Sequence, residues 1–430
     1  MSSVVVAPAR AALRGTFRVP GDKSIGHRAL LLGAIARGAT TIRGFSGGAD
    51  NRATLAACRA LGVPITAQGA ELRVEGGGWD ALRPPAGTID CANSGTTMRL
   101  LAGVLAGRSF ASRLDGDASL RRRPMRRVLQ PLGAMGATIV SEGTDHRPPL
   151  AIAGSALHGV VHALPIASAQ VKSALLLAGL QATGTTSVSE PATSRDHTER
   201  MLDAFGGRLT HGPQGVTLVG PQELRGATVD LPGDFSSAAF LVVAALLVPG
   251  SELRLSGVGV NPTRTGLLDV LGAMGADVQI ALDADAGVEP AGTLIVRGTA
   301  LRGTAIGGEL MLRAIDEFPI LCVAAACAEG RTELRDAAEL RVKESDRVAV
   351  MARTLTTLGA RVEERPDGLV IEGPARLSGG TIDSHGDHRI AMSAAVAALV
   401  ASAPVTITDA ASADVSFPGF YDLLSKASGE

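Results

Sequence analysis

Short runs that contain glycine, hydroxyl or charged residues recur along the sequence, each directly before a long apolar stretch. The runs are Pro20–Arg28, Asn93–Arg99, Ser168–Ser173, Gly233–Ser237, Asp316–Pro319 and Gly386–Arg389. At the start of a helix, unpaired N–H groups and the positive end of the helix dipole attract anions. The lysines and arginines in most of these runs therefore predict a site for a strongly anionic small molecule.

Helix capping is the alternative explanation for these runs. Serine, aspartate and asparagine are common N-caps, so capping accounts for Asp22, Ser94 and Ser168. It does not account for cations such as Lys23 and Arg99, because a positive charge opposes the dipole at a helix N-terminus.

The lysines form a small set. The chain has four, Lys23, Lys172, Lys343 and Lys426, whereas its other basic side chains are arginines. An ammonium group can lose its proton when its pKa is depressed, and a guanidinium cannot. We therefore expect Lys23, Lys172 or Lys343 to do something that arginine cannot.

The densest charged segment is Arg341–Arg347, which follows Glu339. On a helix, Lys343 and Arg347 would share one face. Glu344 would then lie between two cations and could act as an acid or base if it were partly buried. A solvated, ion-paired start of a helix explains the same pattern.

Two further groups of residues have the chemistry of binding sites. Arg121–Arg123 precedes a proline, and this suits phosphate or carboxylate binding, although a basic surface loop remains possible. His385 and His388 could bind a metal, but a single run of this kind is more often a charged loop. Gly21–Ser24 lacks the upstream glycine spacing of a nucleotide-binding P-loop.

The elements that carry these runs repeat about every 70 to 80 residues, which predicts a repeat architecture. Each repeat reads as helix, strand, helix, strand, strand, so the fold class is α/β. Val19–Asp22 and Leu231–Asp234 are nearly identical, which suggests a duplicated half of three units. We expect a first domain from residues 1–20 with 232–430 and a second from 21–231, although two ordinary turns would also explain the tetrapeptides.

Composition narrows the class of protein. The chain has 430 residues, 3% aromatic residues and a net charge of −1, which argue for an aliphatic core and against general nucleic-acid affinity. The four cysteines show no zinc spacing, and Cys322 and Cys327 fall in an apolar helix. No segment reads as a signal peptide or a membrane span, so we expect a soluble cytoplasmic protein.

Taken together, the motifs resemble the 3-phosphoshikimate 1-carboxyvinyltransferase (EPSP synthase) family, and some of them resemble its second class. The matching stretches cover nearly the whole chain in the family's order. They are Gly21–Arg28, Asn93–Arg99, Arg123–Met125, Ser168–Lys172, Arg195–Glu199, Asn261–Arg264, Asp316–Pro319, Arg341–Arg347 and Gly386–Arg389.

This resemblance implies the enolpyruvyl transferase fold. It has two similar domains, each of three βαβαββ repeats, with the active site in the cleft between them. It also implies transfer of the enolpyruvyl group of phosphoenolpyruvate to the 5-hydroxyl of shikimate 3-phosphate, with release of phosphate. The family uses no metal or organic cofactor. We expect a monomer that binds these two small molecules and neither nucleic acid nor membrane.

The resemblance also assigns roles to individual residues. Asp316, Glu344 and Lys23 are implied to be catalytic, with Asp316 accepting the hydroxyl proton and Glu344 handling the proton at the methylene carbon. The residues implied to bind shikimate 3-phosphate are Lys23, Ser24, Arg28, Ser168, Ala169, Gln170, Arg195, Asp316, Glu339 and Lys343. Those implied to bind phosphoenolpyruvate are Lys23, Gly95, Arg123, Gln170, Arg347 and Arg389.

Two alternatives compete with this function. The related transferase that acts on UDP-N-acetylglucosamine shares the repeats but uses a cysteine in a mobile loop, and residues 111–121 contain none. A repeat-built binding scaffold without catalysis would explain the helix caps. It would not explain the placement of Asp316 and Glu344 among cations.

Overall fold

A computed structural model describes residues 2–69, 71–212, 215–284 and 287–429. The outer ends of the expected first domain, Met1 and Glu430, lie outside these residues. Contacts divide the chain into two units. Unit 1 comprises Met1–Pro20, Pro232–Ala286 and Pro290–Glu430, and unit 2 comprises Gly21–Leu231 together with the short segment Gly287–Glu289.

Helices and strands are numbered separately along the chain. The α-helices are α1 (Lys23–Ile35), α2 (Ala49–Ala60), α3 (Gly95–Ala106), α4 (Arg126–Ala134), α5 (Ala169–Gly179), α6 (His197–Ala204), α7 (Phe235–Leu247), α8 (Gly266–Ala273), α9 (Gly308–Ala314), α10 (Phe318–Cys327), α11 (Arg347–Thr357), α12 (His388–Leu399) and α13 (Phe420–Ser428). The strands are β1 (Ser3–Val6), β2 (Arg14–Phe17), β3 (Arg37–Arg43), β4 (Ile65–Gln68), β5 (Glu71–Gly77), β6 (Ile89–Asp90), β7 (Ser112–Asp115), β8 (Thr138–Ser141), β9 (Leu150–Ala153), β10 (Val161–Ala163), β11 (Gly184–Ser189), β12 (Leu209–Gly212), β13 (Gly215–Gly220), β14 (Thr228–Asp230), β15 (Glu252–Gly259), β16 (Val278–Leu282), β17 (Ala291–Arg297), β18 (Ala305–Ile306), β19 (Gly330–Leu334), β20 (Arg361–Arg365), β21 (Gly368–Gly373), β22 (Gly380–Asp383) and β23 (Val405–Thr408).

The repeat predicted from the sequence is visible in the sheets. In one sheet of unit 2, β10 runs parallel to β11, and β11 then pairs antiparallel with β13, which forms a hairpin with β12. Helix α5 connects the parallel pair and α6 leads into the hairpin, so the order is βαβαββ. The sheets β6-β7-β9-β8 and β18-β19-β21-β20 have the same order.

Two sheets are completed by strands from distant parts of the chain. In unit 2, β14 pairs parallel with β3, and in unit 1, β2 pairs parallel with β15. The last repeat differs from the predicted one, because in the described residues its sheet has three strands, β1-β23-β22. Strand β1 takes the place of a hairpin and lies antiparallel to β23.

The first helix of each repeat is buried on nearly all sides, as a helix that is apolar all round should be. In α1, every residue from Ile25 to Ile35 is buried. Small residues allow the close packing, since a Cβ on Gly103 of α3 would lie 2.2 Å from the carbonyl oxygen of Ala174 in α5. The expected aliphatic core is therefore present, and Cys322 is buried in α10 as predicted.

Several helix boundaries differ from the sequence interpretation. The polar runs do not precede the helices but form their first turns, so α1 begins at Lys23 and α3 at Gly95. Helix α9 precedes Asp316 and was not predicted. Within the described residues, no helix is both long and apolar enough to span a membrane.

Candidate active site

In unit 2, the predicted site residues form a basic cluster around the N-termini of α1, α3 and α5. We call this set the unit 2 cluster. Its predicted members are Lys23, Ser24, Arg28, Gly95, Arg123, Ser168, Ala169, Gln170 and Arg195. The remaining predicted residues form a second set in unit 1, described below.

Helix α1 places Lys23 in its first turn. Asp22 is the N-cap, and its carboxylate accepts a hydrogen bond from the Ile25 N–H at 2.9 Å. The Lys23 ammonium lies 2.8 Å from Oδ2 of Asp50, the first acidic residue of α2. The Asn51 side chain donates to the Lys23 carbonyl oxygen at 3.0 Å, so α2 holds both ends of this lysine in place.

Arg28 lies one turn further along α1 and is almost completely buried. Its guanidinium donates to Thr198 Oγ1 at 2.7 Å, to Ser173 Oγ at 2.8 Å and to the Ser24 carbonyl at 2.9 Å. Burial lowers the pKa of Arg28 to about 10, against the opposing effect of nearby carboxylates such as Glu199. Arg28 therefore remains charged at neutral pH, with neutral groups as its hydrogen-bond partners.

His27 faces the interior beside this site and belongs to an uncharged chain of hydrogen bonds. Its Nδ1 lies 2.6 Å from Thr54 Oγ1, which is 2.6 Å from Thr97 Oγ1. Thr97 in turn donates to Ser94, the N-cap of α3. Complete burial lowers the pKa of His27 to about 3, so the imidazole is neutral at physiological pH.

The N-terminus of α3 brings two arginines around Gly95. A Cβ at this glycine would lie 3.1 Å from Nη1 of Arg99 and 3.2 Å from Nη1 of Arg123. The Arg123 guanidinium donates to Asn93 Oδ1 at 2.5 Å. The lack of a side chain at Gly95 therefore leaves both guanidinium groups close to the helix N-terminus, where an anion would bind.

Helix α5 adds an amide to the same group of side chains. Gln170 accepts from Arg99 at 2.5 Å and donates to Thr96 Oγ1 at 2.8 Å, which fixes the orientation of its amide. Ser168 is the N-cap, and its N–H donates to Glu190 at 2.7 Å. Ala169 is the first helical residue, so it can present only its backbone N–H.

The pKa of Lys172 is raised, so this lysine does not lose its proton as an ammonium with a depressed pKa could. Burial by itself would lower the pKa of this ammonium, but the charges of Glu199 and Glu190 outweigh burial, and the net shift is upward. The ammonium lies 2.8 Å from Glu199 and 3.1 Å from Glu190. Lys172 is therefore a buried ion-pair residue that stays protonated.

Arg195 lies close enough to Arg28 for its charge to oppose that of Arg28. Two residues later, His197 Nδ1 lies 2.6 Å from Oε1 of Glu289, and both side chains are buried. Glu289 comes from the segment Gly287–Glu289, which the sequence did not suggest as part of unit 2. Its carboxylate also favours the charged form of Arg28.

The second set of predicted residues lies in unit 1, and we call it the unit 1 cluster. Its members are Asp316, Glu339, Lys343, Glu344, Arg347 and Arg389. Asp316 lies in a 3₁₀ turn, Ile315–Glu317, between α9 and α10. Its carboxylate is 3.7 Å from Arg264 and 3.8 Å from both Arg347 and Arg389, and its carbonyl accepts from Arg389 at 2.6 Å.

Arg347 is the most strongly paired cation of this cluster. It begins α11 and donates to both oxygens of the buried Asp387, at 2.8 and 3.2 Å. It also lies 2.8 Å from Glu344. Burial by itself would lower the pKa of Arg347, but Asp387 and Glu344 outweigh burial and raise it. Arg347 is thus permanently charged and holds two carboxylates in fixed positions.

The prediction that Lys343 and Arg347 share one face of a helix is wrong. Residues Ala338–Val342 form a 3₁₀ helix, Lys343 ends it in an extended conformation, and α11 begins only at Arg347. Lys343 instead contacts Glu339 at 3.0 Å. Glu344 is partly buried, which meets the condition set for an acid or base, and it lies 2.8 Å from Arg347.

The arginine triplet is divided by the structure. Arg123 is buried beside Asn93, whereas Arg121 is half-exposed and lies 2.6 Å from Asp115. His385 is exposed and lies 3.6 Å from Asp383, and His388 is buried at the start of α12. Among the residues that the structure describes, no three His, Cys, Asp or Glu side chains are grouped as metal ligands.

Several side chains that support the clusters were not assigned from the sequence. Arg99 and Thr96 hold Gln170, and Asp50 holds Lys23. The sequence could have indicated Arg99, because it lies one helical turn after Gly95 and so on the same face of α3. Arg264 ends the motif Asn261–Arg264 and lies within ion-pair distance of Asp316 and the buried Glu317. No sequence motif distinguishes Asp50 from the other acidic residues of the chain.

Comparisons with known proteins identify what the chain resembles. The family model described as EPSP synthase (3-phosphoshikimate 1-carboxyvinyltransferase) matches residues 8–424. A protein of Geobacter sulfurreducens named 3-phosphoshikimate 1-carboxyvinyltransferase is 55% identical over 426 residues, covering 99% of each chain. A protein of that name from Halorhodospira halophila is 57% identical over 417 residues, covering 96% of this chain and 94% of the relative.

Solved structures agree with these matches. The structure of EPSP synthase from Acinetobacter baumannii has a TM-score of 0.87 at 46% identity and covers 99% of this chain and 98% of its own. The enolpyruvyl transferase NikO from Streptomyces tendae has a TM-score of 0.80 over 99% of this chain and 97% of its own. At 20% identity, the latter supports the fold alone. The expected fold class is therefore confirmed.

Proposed function

The chain belongs to the EPSP synthase family and is an enzyme, and we propose how its two clusters carry out enolpyruvyl transfer. The substrates are phosphoenolpyruvate and shikimate 3-phosphate, and the products are the 5-enolpyruvyl ether and inorganic phosphate. The family match confirms the resemblance seen in the motifs. The alternative acting on UDP-N-acetylglucosamine is not the family whose model matches.

The unit 2 cluster binds anionic groups in this proposal. Ser24, Arg28, Ser168, Ala169, Gln170 and Arg195 bind shikimate 3-phosphate, and Gly95, Arg123 and Gln170 bind phosphoenolpyruvate, with Lys23 contacting both. The supporting observation is the gathering of Lys23, Arg28 and Arg123 around helix N-termini, where backbone N–H groups add to their charge.

The unit 1 cluster supplies the acid and the base. Asp316 accepts the proton of the 5-hydroxyl group of shikimate 3-phosphate while the hydroxyl oxygen attacks C2 of phosphoenolpyruvate. Glu344 donates a proton to C3 of phosphoenolpyruvate. Glu344, now a carboxylate, takes a C3 proton back from the resulting tetrahedral adduct, and this step expels phosphate and restores the double bond. Arg347 and Arg389 bind phosphoenolpyruvate, Glu339 and Lys343 bind shikimate 3-phosphate, and Lys23 assists the proton transfers.

The single observation that carries this assignment is the position of Asp316 and Glu344 beside Arg347. Arg347 holds the two carboxylates in fixed positions, as proton transfer to and from a substrate requires. The protein needs no metal or organic cofactor for these steps. We propose that the protein acts in the cytoplasm as a monomer and binds neither nucleic acid nor membrane. We also propose that unit 1 is the domain expected from residues 1–20 and 232–430, and that unit 2 is the domain expected from residues 21–231.

Deuterium exchange tests the assignment most directly. With both substrates in D₂O, we expect deuterium at C3 of the product, because C3 becomes a methyl group before a proton is lost. Glu344→Gln should abolish both incorporation and phosphate release, whereas Glu364→Gln, an exposed partner of Arg341, should leave both unchanged. Phosphate release that continues when either substrate is omitted would contradict the proposal.

A further inference from the structure

A cavity of about 290 Å³ lies at the opposite end of the helices that carry the unit 2 cluster. It is lined where α1, α3 and α5 end, by residues that include Ile35, Arg108, Leu180 and Gln181. Helix α1 has 13 residues and is about 20 Å long, so the cavity is remote from Lys23. Its volume is at the lower end of the range for small-molecule sites.

Arg108 gives the cavity an unusual charge. Its guanidinium stacks over the Trp79 ring, 4.8 Å from the centroid, and donates to Gln181 and to the Trp79 carbonyl at 2.8 and 2.9 Å. Burial lowers the pKa of Arg108, and the charge of Asp80 only partly opposes this effect. Throughout the described ranges, no carboxylate forms an ion pair with Arg108. A half-buried cation without an acidic partner is a favourable site for a carboxylate.

The rim of the cavity carries two negatively charged side chains, Glu223 and Asp80. Glu223 accepts two hydrogen bonds from Arg37, at 2.9 and 3.1 Å, but its carboxylate remains largely exposed and can accept more. Asp80 lies 3.9 Å from Arg37. The C-terminal ends of three helices add carbonyl groups, and these ends favour cations. The charged side chains of the lining sum to zero, which suits a ligand that carries one charge of each sign.

The floor of the cavity is apolar. Ile35, Leu180 and Leu224 line it and are almost completely buried, and the indole of Trp79 forms part of the wall. Gly78 has a positive φ of 77°, and a Cβ there would lie 3.1 Å from the Arg37 side chain. The glycine therefore allows Arg37 to lie across the backbone beside Trp79.

We propose that this cavity is a second ligand site, distinct from the active site, for a small amino-acid zwitterion with an apolar side chain. Arg108 binds the carboxylate, and Glu223 with the helix C-termini binds the ammonium group. The side chain packs on Trp79 and the leucines. Binding at this site does not depend on the catalytic assignment above.

Trp79 provides the measurement, because it is the only tryptophan in the sequence. The probe is L-phenylalanine, which does not absorb at the red edge of the indole band. As L-phenylalanine is added, the Trp79 emission should change and then level off at a ligand concentration of about 10 mM, which nearly fills a site with a millimolar Kd. Phenylacetate and phenethylamine, which each lack one charge, should bind about ten-fold more weakly or not at all. No saturable change with L-phenylalanine would overturn the proposal.

Two variants separate the ligand contacts from the fold. Arg108→Gln should weaken phenylalanine binding by at least about ten-fold, and Glu223→Gln should weaken it while leaving phenylacetate binding unchanged. Arg113→Gln, which alters an exposed arginine of β7, is the matched control and should bind as the unmodified protein does. Calorimetry repeats each titration without the fluorophore, and circular dichroism establishes that each variant is folded. Equal affinity in Arg108→Gln and the unmodified protein would refute the site.

Discussion

Arg28 and Arg99 of unit 2 have hydrogen-bond partners that differ chemically from those of Arg347 in unit 1, although Lys23 of unit 2 also pairs with a carboxylate, that of Asp50. In unit 2, Arg28 donates to the hydroxyl groups of Ser173 and Thr198, and Arg99 donates to an amide. In unit 1, Arg347 donates to Asp387 and also pairs with Glu344. Neutral partners orient a cation without cancelling its charge, whereas carboxylates cancel it and are themselves oriented. The contrast fits the proposal that Arg28 binds a substrate anion and that the carboxylates beside Arg347 move protons.

Replacing Asp316 should have the largest effect. Asp316→Asn keeps the size of the side chain and the carbonyl that accepts from Arg389, but it removes the base. Turnover should fall about 10²- to 10⁴-fold, with KM for either substrate little changed, as measured by steady-state phosphate release. Asp269→Asn, which alters an exposed partner of Arg313, is the control. If Asp316→Asn instead raised KM and left turnover normal, Asp316 would be a binding residue, like those of unit 2, and not a base.

Arg28→Lys should affect binding instead of turnover. A lysine keeps the charge but cannot reach Thr198, Ser173 and the Ser24 carbonyl together, so the cation loses its orientation. KM for shikimate 3-phosphate should rise about 10- to 100-fold, the value of one good charged hydrogen bond. Arg43→Lys, on the exposed face of β3, should have no effect. The comparison fails if turnover falls while KM is unchanged.

Acid should destabilise unit 2 through His27. The pKa of His27 is about 3 in the folded protein and 6.5 when exposed, so the unfolded chain binds more protons between these values. The stabilisation is complete above pH 6.5 and is lost as pH falls toward 3. At pH 5 the loss is about 2 kcal/mol. Urea unfolding followed by Trp79 emission, which reports on unit 2, should show this loss at pH 5 relative to neutral pH.

A variant sharpens this test. His27→Gln should flatten the pH dependence, because the glutamine can bond to Thr54 and does not titrate. His211→Gln, at an exposed position of β12, should retain the full dependence. If the stability of His27→Gln still falls between neutral pH and pH 5 as in the unmodified protein, another group is responsible.

Gly95→Ala should have the smallest effect. The new methyl group would lie just over 3 Å from Arg99 and Arg123, but both contacts are the ends of flexible side chains. We expect KM for phosphoenolpyruvate to rise by a factor of about ten or less, with KM for shikimate 3-phosphate unchanged. Gly133→Ala in α4 meets no neighbour and is the matched control. An equal change in both KM values would show that Gly95 does not act on one substrate alone.

The sequence was most informative where local chemistry decides the structure. Gly95, the caps Asp22 and Ser168, and the apolar helices could all be read from their neighbours in the chain. The conformation of Arg341–Arg347 could not be, because its side chains bond to residues such as Asp387 and Glu364 that lie far away in sequence. The ion pairs of Lys172 could not be read from the sequence for the same reason, since Glu190 and Glu199 are supplied by the turn and helix that follow β11.

The pairing of β1 with β23, and of β2 with β15, has a consequence for synthesis of the protein. Both leading strands emerge from the ribosome before any of unit 2, yet their partners are made only after residues 21–231 of unit 2. Unit 2 can therefore fold on the nascent chain, while the sheet containing β1 must wait until β23 has been translated. Strand β2 can pair as soon as β15 has been made, so β1 is the leading strand that stays unpaired longest.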